Sequence, residues 1–298
     1  MSQLVRKTPV LRPAALNGVA LKLENLQRTG SFKLRGAVHR LAALSADERS
    51  RGVVTASAGN HGAGLALAGR ELGIPVHVYV PELCPENKKT RIAGLGAHVE
   101  VSGPIYDEAK KAAVARAAER GETFVSAYDD DLIIEGNGAS LGREILDQLP
   151  QLSQVICPIG GGGMIAGLGK ELEPRGIRVT GAQPENNCAM YDSIRQGRAL
   201  VEYDGKPTIA EGCEGAVVER TYQLAKQHVA EIGLVTEDQI LDAVRFAYNE
   251  LGLVLETSAA VALAVVLNDK VEMVGAQSCI VLSGGNIDPA LLDEILAG

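Results

Sequence analysis

Leu34, Val38, Leu41 and Leu44 recur at helical spacing, which predicts one apolar helix face and places Lys33 in the first turn of that helix. Ser31 is suited to cap it through its hydroxyl. Ahead of the helix, the alternating segment 19–23 predicts a short strand that feeds the loop before Lys33. From residue 52 onward the pattern becomes regular. Short apolar runs at 53–55, 76–80, 97–101 and 123–126 predict strands, with helical stretches at 63–72, 87–95 and 106–119 between them. The rhythm resumes with helices over 140–148, 164–172, 237–251 and 258–267, and strands over 154–159, 179–183 and 278–282. Such alternation predicts an α/β fold with open, mostly parallel sheets wrapped by helices. The acidic run Asp129, Asp130 and Asp131 breaks the pattern and marks the expected exit from the first sheet.

Composition narrows the chemistry. A chain of 298 residues that is 46% hydrophobic has ample material for a large core in one or two domains. A net charge of -8, with no lysines or arginines interleaved with aromatics, argues against nucleic acid as a partner. Aromatic residues at 3% and the absence of Trp also leave few platforms for stacked bases. Small molecules are the expected partners. Five cysteines, odd in number and without CxxC pairs, fit reduced thiols. The start MSQLVRKTPV is too short in apolar residues for a signal peptide. The apolar run 258–267 falls short of the roughly 20 residues that span a bilayer. A cytoplasmic location is expected, with no membrane association.

Four stretches carry candidate chemistry. A cation in a first helical turn meets the positive end of the helix dipole, which disfavours the ammonium of Lys33 and favours the nucleophilic amine; a solvated helix lysine is the plainer reading. Gly160, Gly161, Gly162 and Gly163 follow a buried-type strand and open into a helix at Met164, the arrangement that turns backbone amides toward a phosphate. The same loop satisfies G-x-G-x-x-A through Gly161, Gly163 and Ala166, with Glu185 at the distance of a ribose-binding acid, so a dinucleotide-binding oxidoreductase is the competing reading. The loop Ser57, Ala58, Gly59, Asn60, His61 joins a strand to a helix and suits a carboxylate or oxyanion. His61 reads more readily as a hydrogen-bonding scaffold than as a catalyst. Ser283 closes a C-terminal strand, where open sheets place their ligand contacts.

GSFKLRGA at 30–37, SAGNHG at 57–62, PIGGGGM at 158–164 and LSGGNID at 282–288, in this order, resemble the pyridoxal-phosphate-dependent serine/threonine dehydratases and serine racemases of the tryptophan-synthase-β-like fold, fold type II. The resemblance runs from Thr8 to Asp288. It implies that Lys33 forms the Schiff base with pyridoxal 5'-phosphate and later removes the α-proton, and that Phe32 flanks the cofactor ring. It implies that Asn60 bonds the ring oxygen, that Gly160 to Gly163 and Met164 hold the phosphate, and that Ser283 meets the pyridine nitrogen. Ser57, Ala58, Gly59, Asn60 and His61 would bind the substrate carboxylate, and Glu211-Gly212 matches an acid and glycine near the cofactor. The implied organisation is a large domain, 1–47 and 133–298, with a small domain, 48–132, inserted in it and the cofactor in the cleft between them.

The implied activity is α,β-elimination of a β-hydroxy amino acid such as L-threonine or L-serine to a 2-oxo acid and ammonia, by a homodimer. An amino-acid racemase or a β-replacement synthase of the same fold are the alternatives. The chain stops soon after the Ser283 motif, so an enzyme without a regulatory domain is expected. Three positions depart from the family wording. Ala58 stands where racemases place a serine that reprotonates the far face of the α-carbon. Tyr191 stands where a carboxylate would complete a cation site with Glu185 and the Ala189 carbonyl, so no metal is expected. The stretch 133–138 carries Glu135 and Asn137 where AGQG is usual, adding a carboxylate and shortening an amide beside the expected pocket.

Overall fold

The alternation of short buried strands with helices builds two separate sheets in the computed structural model, which describes residues 4–274 and 277–298. Residues 1–3, the start of the stretch read above as no signal peptide, lie outside the described residues. The chain divides into two compact units, one formed by residues 4–6 and 33–137, the other by 7–32 and 138–298.

In the first unit four parallel strands run in the order His98–Val101, Val76–Val80, Val53–Ala56, Thr123–Phe124. The central strand Val53–Ala56 is buried throughout, as a strand covered on both faces must be. Leu34, Ala37, Val38 and Leu41 of the helix Lys33–Ala42 share one core with Ala63, Leu65, Ala66 and Leu67 of the helix Asn60–Leu72. The helix Lys33–Ala42 therefore packs within the smaller unit. Amphipathic spacing shows that a helix buries a face, and only tertiary packing shows against what. At its far end the unit runs to Asn137. Asp130 is a working N-cap: its Oδ1 accepts from the amides of Leu132 at 2.8 Å and Ile133 at 3.1 Å, and its Oδ2 accepts from Arg40 Nε at 2.7 Å. The acidic run is thus a helix start, followed by one turn of π-helix, Glu135–Ala139.

The second unit holds six strands in the order Val10–Leu11, Ala20–Leu23, Ser278–Leu282, Gln154–Pro158, Arg178–Pro184, Glu231–Val235. All pairs are parallel except the first. Alternate residues feed two cores on opposite faces. Leu21, Leu23, Ile156, Ile280 and Leu282 pack with the helices Glu237–Leu251 and Thr257–Leu267. Ala20, Val155, Cys157, Cys279 and Val281 pack with Ser140–Gln148, Gly163–Leu172 and Glu219–His228. The apolar helix Thr257–Leu267 is a core helix of this unit, and among the described residues no helix is long and apolar enough to cross a membrane.

One strand residue defies its apolar setting. Lys22 is fully buried, and its Nζ donates to Thr8 O at 2.8 Å, Glu144 Oε1 at 2.5 Å and Gln148 Oε1 at 2.6 Å. Gln148 Nε2 and the Thr8 amide extend the network, to Thr8 O at 3.0 Å and Glu144 Oε1 at 3.1 Å respectively. Each of the three donors on its nitrogen thus has an acceptor, which is what burial of such a group requires.

Candidate active site

Lys33 is the first residue of its helix, half-buried, with Nζ donating to Ala127 O at 3.3 Å. Ser31 does not cap this helix: its buried hydroxyl has no hydrogen-bond partner, and its backbone instead forms a bridge with Gly284. The helix Asn60–Leu72 packs directly against the first turn of the Lys33 helix. A Cβ on Gly64 would stand 3.2 Å from the Lys33 carbonyl carbon and oxygen and from the Leu34 nitrogen, so a side chain there would crowd the Lys33 backbone.

That packing brings the loop Ser57, Ala58, Gly59 to the neighbourhood of Lys33 within the same unit. Gly59 is the N-cap of the 13-residue helix Asn60–Leu72 and offers no side-chain cap. The helix's first bond back to Gly59 O comes from Ala63, which leaves the amides of Asn60, His61 and Gly62 outside the helical ladder. Space beside Gly59 is open, since nothing lies within 4 Å of where its Cβ would be. An uncapped helix start with open space before it suits a carboxylate. Ala58 contributes only a methyl group, packed on the edge of the unit's core.

His61 sits differently from the rest of its loop. It is buried, with Nε2 3.2 Å from Val125 O, and a carbonyl can only accept, so the hydrogen is on Nε2. Burial, reinforced by the Lys33 charge, pushes its pKa down to about 3, so the ring is neutral at neutral pH. His61 thus holds the loop to the strand layer as a neutral donor, while Nδ1 is left as a buried acceptor without a partner.

In the second unit the buried strand Gln154–Pro158 delivers Gly160, Gly161 and Gly162 to the start of the helix Gly163–Leu172, whose second residue is Met164. Gly162, the N-cap, has φ +89° and no side-chain cap, which is left-handed backbone suited to glycine. Its Cβ would fall 2.6 Å from Met190 Cε and 3.0 Å from Thr221 Cβ, and one on Gly160 would fall 2.2 Å from Gly212 O. Side chains are therefore excluded from a loop whose amides precede a ten-residue helix, the cradle a phosphate needs. Gly212 is itself held by Ser258 Oγ, which accepts its amide at 2.7 Å.

Ser283 is buried just past the strand Ser278–Leu282, and its carbonyl accepts the Phe32 amide at 3.0 Å. Two further bonds secure the same segment: the Gly285 amide to Gly30 O and Asn286 Nδ2 to Thr29 O, both at 2.9 Å. Residues 29–32, immediately before Lys33 in the chain, are thus tied to the Ser283 turn. Asn286 was missed as an anchor, although it lies inside the quoted LSGGNID stretch. Phe32 is half-buried against the core under this turn.

The Ala189 carbonyl accepts Ser193 Oγ at 2.6 Å, the Tyr191 amide donates to Gln183 Oε1 at 2.9 Å, and Glu185 is exposed. Asp192 accepts the Tyr203 hydroxyl at 2.9 Å. Among the described residues no group of three or more His, Cys, Asp or Glu side chains could hold a metal ion.

A family model described as pyridoxal-phosphate dependent enzyme matches residues 1–284. An L-threonine ammonia-lyase from Thermotoga maritima is 41% identical over 305 residues, spanning 99% of this chain and 75% of that protein. A catabolic L-threonine dehydratase from Staphylococcus aureus is 37% identical over 95% of this chain and 85% of its own length. Among solved structures, maize serine racemase superposes with a TM-score of 0.92 at 28% identity, covering 99% of this chain and 93% of that one. Threonine deaminase isoform 2 from Solanum lycopersicum gives 0.90 at 31% identity, covering 99% and 84%.

Proposed function

Because the chain belongs to the family of pyridoxal-phosphate-dependent enzymes, we propose that it converts L-threonine or L-serine to the 2-oxo acid and ammonia by α,β-elimination. The observation that carries this reading is the packing of two helix starts in one unit: Lys33 begins one, the Ser57–Gly59 loop enters the other, and Gly64 abuts the Lys33 backbone. In the second unit the excluded side chains at Gly160 and Gly162 fit a phosphate group.

The cofactor, when bound, supplies an electron sink that makes the substrate α-proton removable. The Lys33 amine carries the cofactor and then takes that proton as general base. Amides at the start of Asn60–Leu72 orient the substrate carboxylate, with Ser57 adding its hydroxyl. Asn60 is suited to the ring oxygen, Gly160 to Met164 to the phosphate, and the Ser283 hydroxyl to the ring nitrogen, with Phe32 alongside the ring. A neutral donor at that nitrogen favours elimination over chemistry that needs a long-lived carbanion. We also infer a cytoplasmic homodimer, a reading consistent with five buried free cysteines. The direct test is release of 2-oxo acid and ammonia from L-threonine and L-serine by the purified, cofactor-loaded protein; a folded, loaded sample that releases neither from any β-hydroxy amino acid overturns the reading.

Elimination without racemisation is the expected outcome, because a proton removed from one face and returned to the other needs two acid/base groups and Ala58 offers none. Chiral separation of the products should show 2-oxo acid with little D-enantiomer. Ala58→Ser should introduce measurable racemisation, whereas D-enantiomer formed by the unaltered protein as fast as 2-oxo acid would point to a different second base.

The glycine cradle makes its own prediction. Gly162→Val puts a branched side chain on left-handed backbone and into Met190 and Thr221, a strain of about 1–3 kcal/mol at the loop. Titration with pyridoxal phosphate should show binding weakened about tenfold or more. Unchanged affinity in a folded variant would remove the phosphate from this loop.

A further inference from the structure

The π-helical turn after Asp131–Ile134 departs from the wording of its family, and the structure gives its asparagine a partner on the Lys33 helix. Gly36 is the fourth residue of that helix, at the end of the first turn that Lys33 opens. Asn137 Oδ1 accepts it at 2.9 Å, across 101 residues of sequence. The fit is close on both sides. A Cβ on Gly36 would stand 2.6–2.8 Å from the Asn137 amide group, and a Cβ on Gly136 would stand 2.6 Å from Gly36 Cα and 2.8 Å from Arg35 O. Two glycines thus let the turn and the helix meet backbone to backbone. Asn137 is 1% exposed, and its Nδ2 has no hydrogen-bond partner, a cost the fold accepts in keeping an amide there. An apolar residue would pack in the same place without that penalty.

We propose that Asn137 is a positioning residue: its bond to the Gly36 amide fixes the first turn of the Lys33–Ala42 helix, and with it the direction from which the Lys33 amine acts. The inference rests on the proposed role of Lys33. The bond acts one turn along from the lysine. Only the amide oxygen carries this role, so aspartate, which retains an acceptor at the same reach, should replace it where alanine cannot.

The test compares Asn137→Ala and Asn137→Asp with the unaltered protein. Hydrogen exchange read by mass spectrometry on the cofactor-free protein should show amides of residues 33–36 exchanging about tenfold faster in the alanine variant, with protection kept in the aspartate variant. In the loaded enzymes kcat should fall about tenfold or more for alanine with KM changed far less, and recover for aspartate. Borohydride reduction should still mark Lys33 in both, so a failure of the Lys33 assignment shows separately as label elsewhere. Unchanged exchange at 33–36, or a lowered melting temperature with kcat intact, overturns the proposal. If the alanine variant does not fold, the aspartate variant decides alone: retained protection and turnover support the positioning role, and loss of both in a folded protein overturns it.

Discussion

Lys33→Ala is expected to reduce turnover of L-threonine or L-serine by about 10³-fold or more, because one amine serves both as the covalent anchor and as the base. The substitution removes a half-buried chain at the start of a helix and leaves the Leu34, Val38 and Leu41 core untouched, so the melting temperature should move little. The glycine cradle lies on separate strands and helices, so the variant should still bind pyridoxal phosphate, now reversibly and without protection from dialysis. Borohydride should fix the cofactor to the peptide containing Lys33 in the unaltered protein and to nothing in the variant. Label on a second lysine, or more than about a tenth of the activity remaining, would exclude Lys33 as the anchor.

The second large effect lies far from this chemistry. Lys22→Met removes the ammonium from a fully buried position and leaves Glu144 and Gln148 facing one another without it. Breaking a buried pair by removing one partner costs about 3–5 kcal/mol, and because Glu144 retains 16% exposure the lower end of that range applies. Urea unfolding should therefore show a midpoint lowered by roughly 3 kcal/mol divided by the m-value, with the m-value itself unchanged. Adding Glu144→Gln should recover part of the loss, since the carboxylate that Lys22 neutralised is then gone. A Lys22→Met protein within about 0.5 kcal/mol of the parent would mean that the network is not a stabilising one.

The order of strands and helices was legible because period-two and period-3.6 patterns are properties of neighbouring residues, and the parallel sheets followed from the regular crossovers between them. The glycine loop and the SAGNH loop were legible for a similar reason: a strand, a short loop and a helix start are consecutive, so each could be read from a few adjacent residues. Three things could not be read locally. The Lys33 helix lies with the smaller unit because its apolar face meets Ala63, Leu65 and Ala66, a partnership that its own spacing cannot name. Lys22 reads as the polar position of an alternating strand, and only the arrival of Glu144 and Gln148 from a distant helix makes it a core residue. The Ser31 hydroxyl, expected to cap the Lys33 helix, has no partner in the fold, while the Gly36 amide of that helix takes an acceptor from Asn137, because a helix amide takes whichever acceptor the folded backbone carries to it. Local sequence determined which elements form and where strands run through short loops into helix starts; tertiary structure decided which distant side chains meet them, since burial drives most polar groups to find a partner wherever the fold brings one.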